Sequence, residues 1–98
     1  MTLPIRMNGL SDNDTATVYV VDNEPASRDT LCAQLFAAGV CARGFACGAS
    51  FLASERAAGP ACLVVDMDFD VVGSGLALQR ALVAMRDPIP VVFIADDA

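Results

Sequence analysis

Four short apolar runs recur along the chain, and stretches with helical spacing separate them. Residues 18–21, Val-Tyr-Val-Val, emerge into Asp22 and Glu24, the pattern of a strand buried on both faces that ends in a polar loop. Pro25 suits a first helical position, and Leu31, Leu35 and Ala38 follow at helical spacing up to Gly39, a natural terminator. Residues 40–46 are weakly strand-like, and Phe51, Leu52, Glu55 and Arg56 before Gly59-Pro60 predict a short second helix. Cys62-Leu63-Val64-Val65 repeats the opening pattern and runs into Asp66, Asp68 and Asp70. Leu78, Leu82 and Met85, after Gly73-Ser74-Gly75, mark a third helix that Asp87-Pro88 ends. A fourth buried run, residues 90–94, is closed by Asp96 and Asp97.

Strands alternating with helices at this spacing predict an α/β fold, a doubly wound parallel sheet built from right-handed crossovers. In a sheet of order 2-1-3-4 the topological switch lies between the first and third strands, and ligands bind outside the carboxyl ends there. Asp22 and Asp66 close those two strands. Two separately encoded carboxylates are thereby expected at one crevice, where they repel each other and a hard divalent cation relieves them.

Composition narrows the chemistry. A chain of 98 residues holds one domain, and 55% hydrophobic residues suit a packed core. Residues 1–16 are polar, with Pro4, Gly9 and Ser11-Asp12-Asn13. They are expected to form a flexible leader to a domain spanning 17–98, and they lack the apolar centre of a signal peptide. No apolar run approaches a membrane span. Twelve acids against six bases, all arginine, give a net charge of −6, a field that repels nucleic acid and anionic membrane. Without histidine or lysine, the chain has no histidine base or ligand and no Walker-type lysine. Cys32, Cys41, Cys47 and Cys62 form no C-x-x-C pair. They are expected as small buried thiols in a reducing, cytoplasmic setting.

The stretch "VYVVDNEP" followed by Arg28, together with "CLVVD", a Gly-rich turn and "GLALQ", resembles the receiver (CheY-like) domain of bacterial two-component response regulators, most nearly the FixJ-type branch. The resemblance covers residues 17–95 and implies the flavodoxin-like receiver fold. It also implies that Asp66 accepts a phosphoryl group from a histidine kinase. Asp22 and Asn23 fall in the positions that hold Mg²⁺, Asp66 is a further ligand, and Asp68 contributes a backbone carbonyl. Such a domain is a signalling switch in which phosphorylation is self-modification, so the chain is not read as an enzyme.

The sequence departs from that pattern at several chemical positions. Asn23 replaces the second acid of the pair, which keeps an oxygen but removes a charge and so weakens Mg²⁺ binding. Ala95 stands where a hydroxyl residue is usual, the lysine that contacts the phosphoryl group is missing, and the turn after Asp66 carries Asp70 and Val71 in place of a Pro-Gly type turn. The last helix, strand and helix of a full receiver are also absent from these 98 residues. The fourth strand would then be an apolar edge, and exposed edges invite pairing with another chain, so self-association through the strand 4 side is expected. The rival reading is a degenerate receiver, a pseudo-receiver that works as a phosphorylation-independent interaction or dimerisation module.

Two other readings of the acidic cluster fit less well. A calcium loop beginning at Asp66 wants Gly and Glu where Val71 and Ala77 stand. A dehalogenase-type D-x-D phosphatase motif lacks its lysine. Elsewhere, Glu24 reads as a helix-start acid and Arg28 as a solvated helix residue. Tyr19 reads as half-buried, and Phe45, Phe51 and Phe93 as core or interface aromatics.

Overall fold

The structure, a computed structural model, describes residues 16–66 and 74–94. Its elements run β1 (Thr17–Val21), α1 (Pro25–Ala37), β2 (Cys41–Phe45), α2 (Gly48–Ala53), β3 (Ala61–Asp66), α3 (Ser74–Ala84) and β4 (Val91–Ile94). The strands form one sheet of order β2-β1-β3-β4. All three pairings are parallel, as the alternating pattern predicts. The expected leader lies outside the described residues except for Ala16, which precedes β1.

Alternation along each strand divides the sheet into two faces. Tyr19 and Val21 of β1 and Leu63 and Val65 of β3 meet Phe51 of α2 and Leu78 and Leu82 of α3 in the core. The other face of β1, with Val18 and Val20, is left to α1, which packs on β1 and β2. Helices therefore cover both sides, and the most deeply buried residues are Tyr19 and Val20 of β1, Leu63 of β3 and Phe51 of α2.

Tyr19 is fully buried rather than half-buried. Its ring packs 5.3 Å from Phe51 and 6.2 Å from Phe45. Burial is tolerable because its hydroxyl accepts the Ala57 N–H at 2.8 Å. The Arg56 guanidinium lies 4.3 Å from the Phe51 ring centroid and pairs with Asp87 at 2.7 Å. The core aromatics are thus sealed at the amino end of the sheet. Phe45 packs against the core as expected, whereas Phe93 is 39% exposed on β4.

Several local readings are corrected. The second helix starts at Gly48 and stops at Ala53, leaving Glu55 and Arg56 beyond it. It stops there because the Ser54 N–H and hydroxyl both turn back to the Phe51 carbonyl, at 3.0 and 2.6 Å. Met85 is exposed and follows α3 instead of joining its buried stripe. Arg86 ends that helix at φ 58°. The cysteines are not buried: Cys32 and Cys62 are intermediate, and Cys41 and Cys47 are exposed. Cys41 opens the edge strand β2 and Cys47 stands at the N-cap position of α2.

Candidate functional site at the carboxyl ends of β1 and β3

Val21 and Val65 are register partners on adjacent parallel strands. Asp22 follows Val21 at the end of β1 and Asp66 follows Val65 as the last residue of β3, so both stand at the carboxyl edge of adjacent strands. Both residues line one cavity of ≈ 390 Å³, together with Ala26, Ser27, Thr30, Leu31 and Gln34 of α1 and Ile94 of β4. The two carboxylates predicted from the strand ends are therefore brought to one crevice. Its wall was legible in the sequence only as a helical stripe, with small and polar side chains at positions 27, 30 and 34.

Asp22 is 3% exposed, so every polar group it carries needs a partner. Its backbone N–H donates to the Phe45 carbonyl at 3.0 Å. One carboxylate oxygen, Oδ1, accepts the Glu24 N–H at 2.9 Å, a turn closed by the side chain of its own first residue. Its carbonyl oxygen accepts from Nη1 of Arg28 at 2.8 Å. Arg28 is therefore half-buried and bonded to the site, not a solvated helix residue. Glu24 acts as the expected helix-start acid, its Oε1 accepting the Ala26 N–H at 2.9 Å as the N-cap of α1.

Asn23 lies exposed in the turn between β1 and α1, and Asp66 is partly buried at the end of β3. Asp68, Asp70, Val71 and Ala95 lie outside the described residues. Among the described residues no three or more Asp, Glu, His or Cys side chains gather as a metal cage. The donor set that is present, two carboxylates on one open cavity, nevertheless suits Mg²⁺, which takes one or two carboxylates and keeps several waters. No helix among the described residues is long and apolar enough to cross a membrane.

No family model matches the chain. Among curated proteins it is 32% identical over 89 residues to the transcriptional regulatory protein TdiR of Thauera aromatica, an alignment covering 91% of this chain and 39% of TdiR. It is 34% identical over 84 residues to the C4-dicarboxylate transport transcriptional regulatory protein DctR of Rhodobacter capsulatus, covering 84% of this chain and 42% of DctR. The chain thus spans about two fifths of the length of these relatives. Among solved structures, the response regulator StyR superposes with a TM-score of 0.74 at 38% identity, covering 86% of this chain and 42% of StyR. The narrower FixJ-type assignment rests on the sequence motifs alone. With the 2-1-3-4 parallel sheet, two aspartates at its switch point and these relatives all in agreement, the chain belongs to the response regulators as a receiver domain.

Proposed function

We propose that this receiver domain is a phosphorylation switch in which Asp66 is the acceptor and a histidine kinase the donor. The observation that carries the reading is the shared cavity of Asp22 and Asp66 at the carboxyl ends of β1 and β3. In the transfer, the carboxylate oxygen of Asp66 forms a bond to phosphorus as the phosphorus–nitrogen bond of the phosphohistidine breaks. The imidazole leaves with the electron pair and takes up a proton. Mg²⁺, when bound, neutralises charge on the phosphoryl oxygens.

Asp22 and Asp66 are the carboxylate ligands of that cation, with Asn23 and the Asp68 carbonyl completing the protein's share. An amide in place of a carboxylate at Asn23 leaves the site one charge short, so the cation binds weakly. The domain changes only itself and turns over no substrate. Its output runs through protein contacts, since a net charge of −6 opposes binding to nucleic acid. The strand 4 side, with Val92, Phe93 and Ile94 exposed on β4, is the surface for self-association. The free thiols suit the reducing cytoplasm.

Treating the protein with acetyl phosphate and Mg²⁺ and reading its intact mass tests the acceptor. Wild type is expected to gain one phosphoryl group and Asp66→Asn none. A wild type that gains nothing would instead support the degenerate reading, a module that acts by contact alone. The amide at Asn23 is the observation favouring that second reading.

A further inference from the structure

Glycine inside a strand weakens it and marks a close approach by another part of the chain, and Gly44 in β2 is such a case. A Cβ built on Gly44 would lie 2.9 Å from Cγ and 3.0 Å from Cδ of Arg28, and 3.3 Å from Sγ of Cys32. The aliphatic stem of Arg28 therefore crosses β2 at the one residue that has no side chain to obstruct it. From there the guanidinium reaches the Asp22 carbonyl. Since β2 and β3 flank β1 on opposite sides, Arg28 supports Asp22 from the side away from Asp66.

The carbonyl that Arg28 holds belongs to the peptide unit joining Asp22 to Asn23. Its orientation sets where the Asp22 carboxylate and the Asn23 amide are presented. Of the three polar groups of Asp22, the N–H is tied to β2 and the carboxylate to the turn itself. Only the carbonyl depends on a long, charged side chain. A hydrogen bond from a charged donor is among the stronger kind, and it acts on the turn where the chain has given up one acidic ligand.

We propose that Arg28 and Gly44 work as one positioning device for the cation-binding turn. Arg28 fixes the Asp22–Asn23 peptide, and Gly44 is the passage that lets it do so. The inference deepens the reading that Asp22 and Asp66 bind Mg²⁺, and rests on it for its effect on affinity. Neither residue touches the cation in this account; both act through Asp22.

The test uses the whole 98-residue chain as Arg28→Ala, Gly44→Ala, the double variant and Arg28→Lys. Mg²⁺ affinity is measured by calorimetric titration, and amide hydrogen exchange is followed at Glu24 with Tyr19 as the reference for global opening. Each single alanine variant is expected to weaken Mg²⁺ binding and to speed Glu24 exchange relative to Tyr19, each by about tenfold. The double variant should be little worse than either single one, because once the stem is gone Gly44→Ala meets only the looser contact with Cys32 Sγ at 3.3 Å. Arg28→Lys keeps the stem and a donor and should recover part of the loss. Unchanged Glu24 exchange in Arg28→Ala, or losses that multiply in the double variant, would overturn the proposal. If wild type takes up no Mg²⁺, the cation reading fails by itself, and the exchange rates alone decide for or against the device.

Discussion

Cys47 and Cys32 show how the same side chain acquires different chemistry from its surroundings. Cys47 is exposed at the N-cap of α2, its Sγ 3.3 Å from the Ser50 hydroxyl. That contact first, with the nearby backbone of Ser50 and Ala49 adding to it, holds its pKa below the ordinary thiol value. Cys32 is partly buried on α1 beside Asp29, and burial first, then the carboxylate, push its pKa up. A lowered pKa means more thiolate at a given pH, and thiolate is the reactive form. Iodoacetamide should therefore label Cys47 first, and its rate should rise with pH in a range where Cys32 is still silent. Ser50→Ala should shift the Cys47 profile to higher pH, which peptide mass mapping across a pH series would detect. Little of this was legible in the sequence, where the spacing of the four cysteines marks them only as unpaired.

Helix ends are the most locally encoded feature of the fold. After α1, the Val40 N–H bonds the Leu35 carbonyl at 2.9 Å and the Gly39 N–H bonds that of Phe36 at 3.0 Å. After α3, the Asp87 N–H bonds Leu82 at 2.9 Å and the Arg86 N–H bonds Val83 at 3.0 Å. Both are the same paired closure through a left-handed residue, Gly39 at φ 87° in the first and Arg86 at φ 58° in the second. Glycine takes that conformation without strain, whereas a side chain costs about 1–2 kcal/mol there. Gly39→Ala is thus expected to lose about 1–2 kcal/mol of stability, and Arg86→Gly to gain up to about 1 kcal/mol, both read from denaturant midpoints. The stop at Gly39 could be read from the sequence, since glycine announces the conformation. The stop at Arg86 could not, because Asp87-Pro88 marks the boundary without saying which residue bends. The early end of α2 was hidden for a similar reason: Ser54 competes with the helix through its own side chain.

Across the whole molecule the uneven feature is β4, the strand at one edge of the described sheet. Val92 is 50% exposed, and Phe93 and Ile94 are 39% exposed. They belong to both faces of the strand, so neither helical layer among the described residues covers them. Exposed apolar edge strands template pairing with further strands, and a charge at such a position blocks it. Sedimentation of the 98-residue chain should show association that Val92→Lys suppresses, with little change in melting temperature because Val92 is not part of the core. A monomer at tens of micromolar in wild type would count against self-association through this side.

The parallel strands and the acids at their carboxyl ends were legible in the residues themselves, while the 2-1-3-4 order that brings Asp22 to Asp66 came from the family resemblance. An unbroken apolar run ending in an acid has few ways to be satisfied other than as a buried parallel strand with its last residue at the sheet's mouth. Alternation of such runs with helical stretches then favours a parallel sheet with right-handed crossovers, without choosing its strand order. What only the folded chain decided concerns contacts between residues distant in sequence or set by register. Tyr19 is buried because the Ala57 N–H, 38 residues away, meets its hydroxyl. Arg28 joins the site because Gly44, on another strand, leaves its stem a path to Asp22. Local pattern fixes which way a segment folds, since it depends on neighbours along the chain. The partner that satisfies a buried polar group, or makes room for a side chain, comes from packing, and no single segment carries that information.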